Sequence, residues 1–148
     1  MAGNSIREQI LLAVVEALRP AATDLGATLH RSPTVAITRE QCPALVVFPE
    51  SESITERAND RVTRELTMRI TALARAVPPA APETQADALL TAAHAALMAD
   101  VNLNGLALGL REIECEWDVE DADAVAAAIP ARYRITYRTL AADLATPG

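Results

Sequence analysis

The chain contains no lysine. All thirteen of its positive residues are arginine, set against twenty Asp and Glu, which leaves a net charge of -7 over 148 residues. Without Lys there is neither a P-loop lysine for a phosphate nor a Schiff-base nucleophile. Cysteine is nearly absent too. Cys42 and Cys115 are too few for a disulfide framework, so free thiols in a reducing cytoplasm are expected. Nowhere do eighteen apolar residues run together, and no basic stretch leads into an apolar one at the start. Neither a membrane span nor a signal peptide is therefore expected. Acidic balance argues against broad contact with a phosphate backbone, and no nucleic-acid partner is expected.

What is present suits a folded chain. Hydrophobic residues make up 51% and charged residues 22%, a composition able to bury a core. The length suits one domain over 1–148, with an ordered core over roughly 5–140. Alanine is abundant, and Arg in place of every Lys is what a GC-rich coding genome produces. No internal repeat is visible.

Ser5 and Glu8 form a capping box, each able to satisfy the other's backbone N–H. Ile6, Ile10, Val14 and Leu18 then recur every fourth residue, with Leu11 and Ala17 beside them. An amphipathic helix over 5–19 follows, with Pro20 expected to stop it. Residues 28–31 suit a short edge strand, and 34–41 an irregular stretch. PALVVFP at 43–49 reads as a buried strand. The polar residues 50–60 read as a long, exposed connection. From 61 to 76 the pattern has period two: Val62, Leu66, Met68, Ile70, Ala72 and Ala74 on one side, with Arg64 interrupting. A second helix is expected from an N-cap at Thr84 to about Ala99, burying Leu89, Leu90, Ala93, Ala96 and Leu97. Two more alternating strands follow at 112–119 and 131–138, with 120–129 a loop or short helix between them. Pro130 opens the last strand, and residues beyond 140 are expected to fray. The order gives an α+β fold: a single, mainly antiparallel sheet of about four to five strands with two main helices packed on one face.

Chemistry is hard to find in this pattern. Glu112, Glu114, Glu116 and Asp118 form a row with neighbours about 6.5–7 Å apart along one strand face. Matched against Arg132, Arg134 and Arg138 on the last strand, they suit a cross-strand ladder better than a glycosidase pair or a hard-metal site. Those two strands are expected to be antiparallel neighbours, with Cys115 and Trp117 turned inward. His30, Cys42, His94 and Cys115 lack metal-ligand spacing. Ser5, Ser32, Ser51 and Ser53 lie outside any nucleophile motif, and Gly105 and Gly109 lack the strand-to-helix setting of a nucleotide fingerprint. No catalytic residue, metal ligand or cofactor site is expected.

The order of segments resembles the tail terminator family of long-tailed bacteriophages and prophages, also called minor tail protein U or tail completion proteins. IREQILL at 6–12 looks like the family's opening helix. HRS at 30–32 and CPALVVF at 42–48 resemble its Pro-Ala-Leu strand, and RELTMRI at 64–70 its long central strand. ADALL at 86–90, NGL at 104–106 and ARYRITY at 131–137 look like its second helix and closing strand. The likeness spans roughly residues 5–139. It implies a virion structural protein without catalysis or cofactor. Its members form a ring, typically of six subunits, that caps the tail tube, stops its polymerisation and meets the head–neck completion protein. The implied partners are other copies, the tube protein and the neck protein, first in the bacterial host cytoplasm and then in the virion tail. Subunit or tube contacts are expected from Glu50, Glu52, Ile54, Glu56, Arg57 and Arg61 in the polar connection. Arg64, Arg69, Arg132, Arg134 and Arg138 on the strands are expected to join them. The alternatives of another class are a small-molecule-binding or regulatory α+β domain and, last, a hydrolase using the 112–118 carboxylates.

Overall fold

Ser5 does cap the first helix, its hydroxyl accepting from the Glu8 N–H at 3.1 Å. The computed structural model of the chain describes residues 3–75, 79, 81–120 and 126–148. Helix α1 spans Ile6–Asp24 and buries Ile6, Ile10, Leu11, Val14, Leu18 and Ala22. Each large side chain in that stripe contributes about 1.5–3 kcal/mol by leaving water. Pro20 does not stop the helix, contrary to expectation; the chain turns once more around it. Ala22 is buried there, and Gly26, at φ +65°, closes the helix in a Schellman motif. In it Ala27 N–H donates to Ala22 O at 2.8 Å and Gly26 N–H to Thr23 O at 3.1 Å. Burial and capping together offset the hydrogen bond that Pro20 cannot donate.

The strands follow as β1 (Thr28–Arg31), β2 (Ala44–Ala58) and β3 (Arg61–Arg75). Helix α2 (Pro82–Met98) comes next, then β4 (Gly109–Cys115), β5 (Asp118–Glu120), β6 (Ala126–Leu140) and β7 (Asp143–Pro147). The sheet runs β1-β2-β3-β6-β4, with the short β5 and β7 also paired to β6. Only β1 is parallel to its neighbour; the remaining pairs are antiparallel. Both helices pack on one face, over Leu45 and Val47 of β2, alternate residues of β3 from Leu66 to Ala74, and Ile129, Ala131, Tyr133, Ile135 and Tyr137 of β6. The fold is thus α+β, two helices on a mixed, mostly antiparallel sheet.

Four expectations change. Residues 50–60 are not a connection but the far half of β2, which pairs with β3 up to Ala58 and Arg61. Only Asn59 and Asp60 make the turn, with Asn59 at φ +59°, a conformation Asn tolerates. Helix α2 begins at Pro82 with Ala81 as N-cap rather than at Thr84, because Pro is preset for the first helical position. Leu89, Ala93 and Leu97 of that helix are buried as expected, while Leu90 and Ala96 are partly so. The last strand starts at Ala126, so Pro130 lies inside it; residues 121–125 of the expected loop or helix lie outside the described residues. Pro130 O accepts from Glu116 N–H at 3.0 Å, so its nitrogen points to the same flank, at the gap between β4 and β5 where no ladder bond is lost. Finally, the C-terminal residues do not fray but form β7, with Gly148 N–H bonded to Arg138 O at 3.3 Å.

Candidate interaction surface

Alternation in β3 and β6 assigns their side chains to two faces. On the helix face, beyond the apolar core, Glu52 stands opposite Leu66 and Tyr137 opposite Arg64. The Tyr137 hydroxyl donates to Glu52 Oε1, and Arg7 donates to Glu52 Oε2 at 2.9 Å. Arg64 pairs with the same carboxylate at 3.3 Å and donates from Nε to the buried Thr139 hydroxyl at 3.1 Å. Side-chain exposure is only 14% for Glu52 and 11% for Arg64, so both are spent on holding β2, β3, β6 and α1 together. Burial, and then the adjacent Glu52 carboxylate, push the Tyr137 hydroxyl well above the ordinary phenol range. Arg64 interrupts the apolar set in the sequence because it serves this cluster.

Neither α1 nor α2 packs on the opposite face. There Glu50 pairs with Arg132 at 2.7 Å and with Arg69 at 3.7 Å, and Arg132 reaches Glu116 at 3.2 Å and Glu114 at 3.6 Å. The hydrogen bond that Arg132 donates to Glu50 is the main reason the pKa of its guanidinium is raised above the usual value. Arg134 pairs with Glu65 at 3.5 Å, and Arg138 donates to the Thr63 hydroxyl at 3.1 Å. Arg69 also lies over the Phe48 ring, 4.6 Å from its centroid, a cation–π contact that composition did not reveal. The expected ladder between the acidic strand and the final strand forms only at Arg132, with Glu114 and Glu116; Arg134 and Arg138 turn to β3 instead, and Glu112 stands opposite Tyr133. Strands β4 and β6 are antiparallel neighbours as expected, with Glu114 opposite Arg132.

Near the hairpin turn, Glu56, Arg57 and Arg61 are exposed and Ile54 is 43% exposed. Beyond Val47, where β1 ends, β2 is an edge strand, broken by register shifts after Pro49 and after Ile54. Pro and bulges at an edge discourage indiscriminate pairing. The expected contact residues thus separate into three groups. Glu52 and Arg64 lie on the helix side; Glu50, Arg69, Arg132, Arg134 and Arg138 on the bare face; Ile54, Glu56, Arg57 and Arg61 around the turn.

Two expectations fail on β4. A register shift between Glu112 and Glu114 breaks the alternation, and although Cys115 then stands opposite Ala131 of the helix face, it is exposed, and Trp117 is 58% exposed rather than packed in the core. Tyr133 and Ile135 do face the helices. His94 Nδ1 lies 2.8 Å from the Tyr133 hydroxyl, which gives that buried phenol a partner. Among the described residues no group of His, Cys, Asp and Glu is arranged to hold a metal ion. No described helix is long and apolar enough to cross a membrane. A furrow of about 380 Å³ also crosses the bare face, between residues 33–37 and strands β2, β3 and β6. Its apolar wall, Val35 and Ile37, sits in the stretch read from sequence as merely irregular.

No family model and no curated protein matches this sequence. Among solved structures, the chain is similar in fold to a protein described as "Virion of native gene transfer agent (GTA) particle". The TM-score is 0.54 at 16% identity, over 85% of this chain and 92% of that one. At that identity the likeness is one of fold.

Proposed function

We propose that this chain is a structural component of a phage-like virion, and within it the tail terminator. A ring of copies, six by the family resemblance, would cap the tail tube, halt its polymerisation and present a surface to the head–neck completion protein. The observation that carries this reading is the shared fold with a gene transfer agent virion protein across nearly the whole of both chains. The tail-terminator resemblance of residues 5–139 agrees with it. The role is non-catalytic and uses no cofactor. The protein assembles in the bacterial cytoplasm and remains in the virion tail.

A ring needs two different faces of one subunit to meet. At a net charge of -7, copies repel unless opposite charges meet locally. Ile54, Glu56, Arg57 and Arg61 around the hairpin turn supply one contact. Glu50, Arg69, Arg132, Arg134 and Arg138 on the bare face supply another, while Glu52 and Arg64 hold the hairpin in place behind them. Sedimentation at low and high salt, with electron micrographs of assembled tails, tests the reading. Salt-sensitive association and a ring at the head-proximal tail end support it. A monomer at every concentration and salt, absent from the tail, contradicts it.

A further inference from the structure

The furrow on the bare face reverses the chain's overall charge. Phe48 and Leu73 line its sheet side, Val35 its outer wall at 76% exposure, and Arg69 lies among them. Arg69 Nε is buried there with no hydrogen-bond partner among the described residues. Ile37, Leu73 and Ala128 carry the furrow on into a second hollow of about 220 Å³ lined by Arg39 and Arg75. In a chain of net charge -7, three arginines line this continuous apolar path, and none of its described lining residues is acidic.

Residues 112–118 have the complementary character. Glu112, Glu114 and Glu116 alternate with Ile113 and Trp117, which are 36% and 58% exposed. An exposed indole among carboxylates suits a basic groove with apolar walls: aromatic side chains bury about 150–250 Å² when covered. Glu114 and Glu116 pair with Arg132 but remain 48% and 55% exposed, within reach of a second partner.

We propose that the furrow of one copy receives Trp117 and its acidic neighbours from a second copy. The indole lies against Phe48 and Val35, and the carboxylates turn toward Arg39, Arg69 and Arg75. This rests on the ring reading above and names one subunit contact within it. Where each copy offers its tryptophan segment to one neighbour and its furrow to another, the contact is head-to-tail and propagates around a ring.

The test uses the chain's single tryptophan. The Trp117→Ala full chain has no indole, so a peptide of residues 111–120 added to it carries the sole one. The expected result is a saturable blue shift of peptide emission, weakened about tenfold or more by adding Val35→Glu and weakened also by high salt. Circular dichroism checks that both exposed substitutions leave the fold intact. Emission that stays that of free peptide up to about 1 mM, or binding indifferent to Val35→Glu, overturns the proposal. If the wild-type chain forms rings while the peptide does not bind, this contact falls and the ring reading stands on another surface. Binding by a chain that stays monomeric in every condition upholds the furrow as an acceptor and counts against the ring.

Discussion

The hydroxyl of Tyr137 donates to the carboxylate of Glu52, joining β6 to β2 across the intervening β3 and across 85 positions of sequence. Arg7 and Arg64 complete the pair's surroundings, so Glu52 serves three partners at once. Tyr137→Phe should cost about 1.5–3 kcal/mol, the usual worth of a hydrogen bond to a charged group. Glu52→Lys should cost more, about 3–5 kcal/mol, because it leaves Arg7 and Arg64 facing a like charge in a poorly solvated place. Urea unfolding of both variants measures this, and equal stability of Glu52→Lys and wild type would show that the cluster does not hold the hairpin.

Acid should weaken the attachment of α1 to β1. Arg31 grips Glu8 through two hydrogen bonds of 2.5 and 2.6 Å, and this bond holds the Glu8 carboxyl below the usual carboxylate range. A depressed folded pKa means the stabilisation is complete above about pH 4.3 and is lost as pH falls through the lower folded value. Both side chains are partly solvated, so the pair is worth about 1 kcal/mol or less at neutral pH. The stability gap between wild type and Arg31→Ala should therefore close as pH drops below about 4. A gap that persists undiminished to pH 2 is inconsistent with this pair.

Cys115 should be replaceable. It is exposed, so Cys115→Ser should change stability by no more than about 0.5 kcal/mol, and thiol reagents should reach it in the folded protein. Partial burial and the nearby Glu112 carboxylate raise its pKa, so labelling should accelerate as pH climbs past about 8.5. Protection from reagent at pH 9 without denaturant would place this thiol indoors after all.

The hairpin turn separates assembly from folding. Glu56→Lys with Arg57→Glu alters exposed residues and should leave stability within about 0.5 kcal/mol of wild type. On the proposed function the same double variant should fail to complete tails. Asn59→Val should instead cost about 1–2 kcal/mol, since a β-branched residue resists φ +59°. Normal tails from the double reversal would remove the turn from the contact.

Much of the fold was legible where one face is apolar. Ile6, Ile10, Val14 and Leu18 announce α1, and the alternation from Val62 to Ala74 announces β3 with its correct inward face. What misled was structure held by hydrogen bonds and charge. SESITER at 51–57 carries one large apolar residue, yet it is strand, because it pairs with β3 as a wet edge. The sequence from Glu112 to Trp117 alternates perfectly, so the pattern announces neither the bulge at Ile113 nor the exposure of Cys115 and Trp117. The site was half readable. The Arg132 ladder followed from opposite charges on neighbouring strands, whereas the Glu52–Tyr137 pair and the Phe48–Arg69 stack depend on register that alternation alone does not set.

Tail length in particles made without this chain tests the central claim most directly. A particle-producing strain lacking it, with and without a plasmid copy, would be examined by electron microscopy. The account predicts tubes of irregular, extended length unattached to heads, with normal length and joining restored by the plasmid. Tails of normal length joined to heads in its absence would contradict it.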